Sequence, residues 1–205
     1  VRYVGPAADA VLARYPETLI GRGRVQAWVV GPGLGEGRAA EVAQALADPV
    51  PVLVDADGLR GLDPAVLRAR SAGTLLTPHA GEAAALLGVS RDAVESARLS
   101  SVRSLAERYG ATVLLKGSTT LVSRGGGPVR VNPTGTAWLA TAGSGDVLSG
   151  LSGSLLASGL PALDAASVAA YLHGLAGRRA ASGAPLLAQQ IAQSLPEAWR
   201  SIQNP

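Results

Sequence analysis

The sequence contains no cysteine, no methionine and no phenylalanine, and aromatic residues make up only 3% of its 205 residues. Without cysteine the chain has no disulfide, no thiolate metal ligand and no cysteine nucleophile. So few aromatic rings leave little material for stacking nucleic-acid bases. The net charge is +3, yet the arginines are scattered singly and form no basic stripe. We therefore expect no nucleic-acid partner.

Long apolar runs are also missing. No stretch approaches the roughly 18 uninterrupted apolar residues of a membrane helix, and the N-terminus lacks a charged-then-apolar signal pattern. We expect no membrane association and a cytoplasmic location. Hydrophobic residues reach 47% and charged residues only 16%, a composition that can bury a substantial core. We expect one domain over residues 1–205.

Short apolar runs alternate with amphipathic segments along most of the chain. Strands are predicted at residues 27–31, 50–54, 74–76 and 112–115, with a hairpin of 121–123 and 129–131 around glycines 125–127. Helices are predicted at residues 38–47, 64–70, 82–87, 92–109, 147–157, 163–181 and 188–202. The alternation predicts an α/β fold of three layers with a mostly parallel sheet, in which ligands bind beyond the carboxyl ends of the strands.

The most informative segment is the glycine-rich turn at residues 141–146, which precedes an apolar helix. The segment contains Ala142, Gly143, Ser144 and Gly145, and its two glycines let the backbone approach a ligand closely. A helix N-terminus also offers N–H groups to phosphate oxygens. Asp146 has two interpretations at this point: an ordinary helix N-cap, or a base that deprotonates a substrate hydroxyl beside bound phosphate. We favour the base.

Two further residues carry candidate chemistry. Lys116 is the only lysine of the chain and follows an apolar strand. It is either a surface residue that ends the strand or a functional residue, and we favour the functional role. The polar residues after it, Gly117, Ser118, Thr119 and Thr120, could contact a ribose or phosphate. His79, between a proline and Ala-Gly-Glu, suits substrate binding better than proton transfer.

Two carboxylates and a second glycine turn complete the candidates. The turn at residues 31–35 has neither the Walker ending nor the spacing of a dinucleotide fingerprint. It is either a tight strand-to-helix connection or a floor for a bulky substrate. Asp55 and Asp57 could hold magnesium through water or cap the turn after their strand, and we favour a structural or outer-shell role.

Five ordered motifs together resemble the NAD(P)H-hydrate dehydratase family. They are GPGLG from Gly31, VDADGL from Val54, TPHAGE from Thr77, KGSTTLV from Lys116 and NPTGTAWLATAGSGDVLSG from Asn132. The resemblance covers most of the chain and implies a ribokinase-like fold. It also implies repair of the hydrated cofactors NADHX and NADPHX to NADH and NADPH, with ADP or ATP as phosphoryl donor and Mg²⁺ as cofactor.

The resemblance assigns roles position by position. Asp146 matches the family's substrate-contacting aspartate and base, and Gly35 and His79 match substrate-contacting positions. Gly145 and residues 116–120 match nucleotide-binding positions, and the amides of residues 142–145 would form an anion hole. The resemblance identifies no protein metal ligand.

The resemblance also implies a homotetramer and, in some members, a fused or separate epimerase. Family members usually carry a segment before the position of Val1, so we expect this chain to be shortened at its N-terminus. Two alternatives remain: a vitamin-precursor kinase of the ribokinase-like superfamily, such as a hydroxyethylthiazole or hydroxymethylpyrimidine kinase, and a non-catalytic nucleotide-binding module.

Overall fold

A computed structural model describes residues 1–35 and 37–203. Glu36 is outside the described residues, so the predicted turn at residues 32–37 is seen except at that position. Strands β1 to β8 cover Arg2–Tyr3, Leu19–Ile20, Trp28–Val30, Val52–Val54, Thr74–Leu76, Thr112–Leu115, Thr120–Ser123 and Arg130–Asn132. Helices α1 to α9 cover Ala8–Arg14, Ala39–Ala47, Pro64–Arg68, Ala80–Leu87, Arg91–Ser96, Arg98–Tyr109, Ser144–Ala157, Ala162–Ala181 and Ala188–Gln203. Single 3-10 turns occupy Ala56–Leu59 and Ala137–Leu139.

The main sheet has six strands in the order β3-β4-β5-β6-β7-β8. Strands β3 to β6 run parallel, whereas β7 and β8 form an antiparallel hairpin on the side of β6. The predicted mostly parallel sheet and the predicted hairpin are both confirmed. Strands β1 and β2 form a separate parallel pair.

Helices cover both faces of the main sheet, because successive strand residues point to opposite sides. Val52 and Val54 of β4 pack in a cluster with side chains of α2 to α6, whereas Leu53 packs in a second cluster with α7 and α8. All three side chains are fully buried, and each such burial stabilises the fold by about 1.5–3 kcal/mol. The predicted three-layer arrangement is confirmed.

Three local predictions differ clearly from the structure, and one segment was not predicted. The strand predicted as buried at residues 27–31 is the edge strand β3, and Val29 is 39% exposed. The helix predicted at residues 92–109 is broken at Ala97 into α5 and α6. Helix α7 begins at Ser144, three residues before its predicted start. No sequence pattern predicts β1, α1 or β2.

Among the residues that the structure describes, none of the helices combines the length and the hydropathy that crossing a membrane requires.

Candidate active site

The candidate residues meet where the parallel strands end. Asp55 directly follows β4, Thr77 and His79 follow β5, and Lys116 follows β6. The amide of Lys116 donates to the carbonyl of Pro78 at 2.8 Å, which joins the ends of β5 and β6. Because parallel strands place their carboxyl ends at one edge, residues far apart in sequence are gathered there.

A buried ion pair lies at the centre of this edge. Lys116 Nζ lies 2.7 Å from Asp55 Oδ1, and the second carboxylate oxygen accepts from Ser149 Oγ of α7 at 2.6 Å. The Asp55 side chain is 2% exposed and that of Lys116 is 19% exposed. Lys116 is therefore not the surface residue of the first interpretation. Both oxygens of Asp55 are occupied, so this carboxylate supports Lys116.

The glycine-rich turn lies beside the ammonium group. Gly143 is the N-cap residue of α7 with a φ of +83°, and a Cβ atom built on Gly145 would lie 3.6 Å from Lys116 Nζ. Among the described residues, the N–H of Ser144 donates to the Thr141 carbonyl at 3.2 Å, whereas those of Gly145 and Asp146 have no acceptor. Free N–H groups at the start of a 14-residue helix, next to a cation, suit a phosphate group.

Asp146 is the third residue of α7 and not its cap. The N-cap interpretation is therefore wrong, because Gly143 occupies that position and offers no side chain. The Asp146 side chain is exposed, and within the described part of the chain it accepts no hydrogen bond and pairs with no cation. A carboxylate in that state, beside free helix amides, is available to a ligand.

Behind the turn lies a buried histidine that sequence reasoning missed. His173 Nε2 of α8 is 3.0 Å from the Ser144 carbonyl oxygen, to which it donates, and 3.4 Å from Ser144 Oγ. Burial lowers the pKa of His173 to about 4, although the bond to the Ser144 carbonyl opposes this shift. Ser144 is itself buried, so its hydroxyl faces His173.

His79 has a structural task that the sequence did not reveal. Its Nδ1 accepts from the amides of Gly81 and Glu82 at 3.0 and 3.2 Å, and Glu82 Oε2 accepts from the His79 amide at 2.7 Å. This reciprocal arrangement is a capping box at the start of α4. Since Nδ1 is an acceptor, the ring proton is on Nε2, which lies 3.5 Å from Glu82 Oε1. The His79 side chain is 59% exposed.

Two arginines that sequence reasoning missed fix the neighbouring loops. Arg98 Nη2 donates to the carbonyls of Leu115, Lys116 and Thr119 at 3.1–3.3 Å. Gly117 packs against this guanidinium, and a Cβ there would collide with it. Arg98 therefore holds the backbone of the loop after β6.

The second arginine acts on the loop that follows β8. Arg178 of α8 donates to the carbonyls of Pro133, Thr134 and Gly135 at 3.4, 2.6 and 2.8 Å. A Cβ on Gly135 would lie 2.9 Å from the Ser118 carbonyl oxygen, so the two loops are in contact. Ser118, Thr119 and Thr120 contribute no hydroxyl hydrogen bond within the described residues, and Gly117 and Ser118 are exposed.

The turn at residues 31–35 packs on the end of β4. Gly31 has a φ of +122°, and a Cβ there would collide with the Asp55 carbonyl oxygen. The amide of Gly35 donates to Asp57 Oδ2 at 3.1 Å, and Asp57 Oδ1 lies 3.3 Å from an Arg60 nitrogen. Asp57 thus holds this turn in place, the structural role that the sequence favoured. Gly35 is exposed and has a φ of +75°.

The donor set at this edge limits how magnesium could be held. Among the described residues no group of three or more histidine, aspartate or glutamate side chains could hold a metal ion. Asp55 and Asp57 already bind Lys116, Ser149 and the Gly35 turn. Magnesium keeps several waters and commonly binds one carboxylate together with substrate phosphates. A magnesium ion that arrives with a nucleotide would therefore be held mainly by phosphate oxygens and water.

Comparisons with known proteins identify the family of the chain. The NAD(P)H-hydrate dehydratase family matches residues 9–197. The chain is 53% identical over 176 residues to the bifunctional NAD(P)H-hydrate repair enzyme Nnr of Mycobacterium tuberculosis H37Rv, covering 82% of this chain and 37% of that protein. It is 42% identical over 210 residues to the ADP-dependent (S)-NAD(P)H-hydrate dehydratase of Neisseria meningitidis, covering 95% of this chain and 71% of that one.

Solved structures show the same fold. The ADP/ATP-dependent NAD(P)H-hydrate dehydratase of Bacillus subtilis, co-crystallised with ATP and Mg²⁺ and soaked with CoA, matches with a TM-score of 0.87 at 26% identity, covering 97% of this chain and 78% of that chain. A ribokinase-like superfamily protein of Enterococcus faecalis matches with a TM-score of 0.82 at 22% identity, over 98% and 76%. The predicted ribokinase-like fold is confirmed. The chain spans 37% of the length of the bifunctional mycobacterial relative, and by its matched residues it belongs to the NAD(P)H-hydrate dehydratase family.

Proposed function

We propose that this chain dehydrates (S)-NADHX and (S)-NADPHX to NADH and NADPH, with ADP or ATP as phosphoryl donor and AMP or ADP and phosphate as products. The observation that carries the proposal is the convergence of Lys116, the free amides at the start of α7 and the available Asp146 carboxylate. This set can hold a phosphate and take up a proton within one site. Family membership supplies the substrate class.

Each candidate residue receives one role. Lys116, the backbone of residues 142–145 and the loop at 116–120 bind the nucleotide. Gly35 and His79 contact the hydrated dinucleotide, with His79 Nε2 as a hydrogen-bond donor. Asp146 contacts the substrate hydroxyl and acts as the base.

The reaction follows in two steps. The hydroxyl oxygen of the hydrated ring attacks the terminal phosphorus of the nucleotide, which forms one P–O bond and breaks the P–O bond to the departing nucleotide. Asp146 takes the hydroxyl proton. The ring C–O bond then breaks, phosphate leaves with its electron pair, and loss of a proton from the neighbouring ring carbon restores the double bond. Water is thereby removed through a better leaving group.

The site's own groups stabilise the charge on the transferred phosphoryl group. The donors of the site are fixed before the nucleotide arrives. Asp55 holds the ammonium of Lys116, and His173 bonds the Ser144 carbonyl in the turn that carries the amides of Gly145 and Asp146. Preorganised donors of this kind need no rearrangement during the reaction. Magnesium bound with the nucleotide would further neutralise its phosphate oxygens and would be held by those oxygens and by water.

The assembly and location belong to the same proposal. We infer a cytoplasmic homotetramer in which residues 1–205 form one catalytic domain. An epimerase acts as a fused or separate partner, in keeping with the bifunctional name of the mycobacterial relative.

The direct test is to incubate the protein with chemically hydrated NADH or NADPH, magnesium and either ADP or ATP. Recovery of the near-ultraviolet absorbance of the dihydronicotinamide would establish the reaction and identify the donor. Nucleotide consumption with a vitamin precursor, and none with the hydrated cofactors, would instead identify a kinase. Nucleotide binding without any product would identify a binding module.

Replacement of Asp146 by asparagine tests its role as base. We expect turnover to fall by about 10²–10⁴-fold, the usual contribution of a positioned base, while nucleotide affinity is retained. Asp92, an exposed aspartate in the first turn of α5, is the matched control: Asp92→Asn makes the same change at another helix N-terminus. Near-normal turnover of Asp146→Asn would remove Asp146 from the mechanism.

A further inference from the structure

A cleft of roughly 540 Å³ lies on one side of the strand-end edge. It runs between the 3-10 turn Ala56–Leu59 and the helices α4 and α6. Its apolar lining comes from Ala56, Leu59, Leu62, Ala85, Leu86 and Tyr109. The volume is within the range of pockets that enclose a small molecule.

The cleft is continuous with the proposed catalytic site. His79, Gly81 and Glu82 line it, and Glu82 Oε2 lies 3.7 Å from Lys116 Nζ. The ammonium group in turn adjoins the start of α7 at Gly145. A single molecule could therefore reach from the glycine-rich turn past Glu82 into the cleft.

The charged side chains that line the cleft differ in whether they are paired. Asp57 accepts from the Gly35 amide and adjoins Arg60, and Glu82 is held by the capping box and by Lys116. Arg108, by contrast, pairs with no carboxylate among the described residues. Its guanidinium donates to the Leu87 carbonyl at 3.4 Å and lies over the Tyr109 ring. The cleft therefore combines an apolar floor with an uncompensated cation.

We propose that this cleft binds the part of the dinucleotide substrate beyond the hydrated ring, and that Arg108 pairs with one of its phosphate groups. The inference rests on the proposed dehydratase function. A dinucleotide extends far beyond its reacting ring, and its remaining half offers an apolar base face together with phosphate charge. Arginine recognises phosphate through several N–H groups of its planar fork. The nucleotide donor takes the loops at 116–120 and 133–135 on the opposite side of Lys116.

The test is replacement of Arg108 by glutamine, with Arg103→Gln as the matched control. Arg103 is an exposed arginine of the same helix that does not line the cleft. KM is measured separately for NADHX, NADPHX and ADP, together with kcat. We expect Arg108→Gln to raise the KM of the dinucleotide about tenfold, as loss of a charge-assisted hydrogen bond does, and to leave kcat and the KM for ADP near those of Arg103→Gln.

The two substrates identify the phosphate that is bound. An equal rise in KM for NADHX and NADPHX assigns Arg108 to the pyrophosphate, and a rise for NADPHX alone assigns it to the 2′-phosphate. The effect should also shrink as salt is added, because exposed charges are screened. No change in either KM, or a rise in the KM for ADP alone, would overturn the inference.

A steric variant and a binding measurement keep this inference separate from the proposed function. Ala85 is exposed and lines the cleft, so Ala85→Phe should fill it and weaken binding of NADP⁺ in titration calorimetry. If the unaltered protein repairs NADPHX and neither variant affects dinucleotide binding, the cleft assignment is wrong and the function stands. If the unaltered protein repairs nothing and binds no NADP⁺, both are wrong.

Discussion

Removing the charge of Lys116 should destabilise the protein more than removing the charge of Asp55. Lys116→Met leaves the Asp55 carboxylate almost fully buried, with Ser149 Oγ as its only remaining donor among the described residues. Leaving such a charge without its partner costs about 3–5 kcal/mol. Asp55→Asn leaves Lys116 partly exposed and 3.7 Å from Glu82, and the new amide still accepts a hydrogen bond. We expect a cost of about 1–3 kcal/mol for it.

Urea unfolding followed by circular dichroism measures this asymmetry. At a denaturant slope of about 2 kcal/mol per molar urea, the midpoint of Lys116→Met should fall by roughly 2 M. The exposed pair of Arg130 and Asp164, with both side chains 45% exposed, supplies the control: Arg130→Met should cost about 1 kcal/mol or less. The double variant that combines Lys116→Met with Asp55→Asn should regain part of the loss, because no charge is then left buried.

The same variants report on function through different quantities. Lys116→Met should also raise the KM for the nucleotide, since the ammonium adjoins the glycine-rich turn. The reasoning from a buried ion pair is refuted if the free energy of unfolding of Lys116→Met lies within about 0.5 kcal/mol of that of the unaltered protein. It is also refuted if Asp55→Asn is the more destabilising change.

Two further predictions concern the supports of the nucleotide site. Burial lowers the pKa of His173 to about 4 in the folded protein. Between about pH 6.5 and pH 4 the unfolded chain therefore binds a proton at this residue that the folded chain does not. The free energy of unfolding should fall by about 1.4 kcal/mol per pH unit as the pH drops through this range. His173→Gln should remove that slope in urea unfolding, and an unchanged slope would contradict the assignment. Arg178→Lys replaces the two guanidinium nitrogens that span three loop carbonyls with a single ammonium nitrogen. We therefore expect a several-fold higher KM for ADP with little change in kcat. Arg179→Lys alters only the neighbouring surface pair with Glu197 and should leave both unchanged.

Local patterns predicted the sheet because its strands are continuous apolar runs bounded by turn residues. Strands β4, β5 and β6 are buried on both faces, which makes each a short hydrophobic block. The break between α5 and α6 has no such marker. It falls at Ala97, where two serine hydroxyls donate to the alanine carbonyl, and an amphipathic period continues across it.

The motifs predicted the candidate site residues but not the contacts that hold them in place. The pair of Asp55 and Lys116 joins residues 61 positions apart, and Ser149 adds a contact over 94 positions. Hydrophobic periodicity is a local pattern and cannot predict contacts over such sequence separations. In the sequence, nothing distinguishes His173 from the other polar residues of an alanine-rich helix. Its contact with Ser144 exists only in the folded chain. Both aspartates after β4 looked alike in sequence, yet one neutralises a lysine and the other holds a turn.

Helix α8 links the two halves of the proposed nucleotide site through one of its faces. His173 bonds the glycine-rich turn, and Arg178 bonds the loop after β8. Between them, Gly174 packs against Thr134 and Gly177 against Leu139, where any Cβ atom would collide. Positions separated by four residues share a helix face, so one rigid 20-residue element presses against both segments. The relative position of the two segments is consequently set by α8 and not by the exposed residues that would touch a nucleotide. Glycine is required at position 174, because a Cβ there would meet the backbone of Thr134, despite its cost of about 1 kcal/mol in a helix.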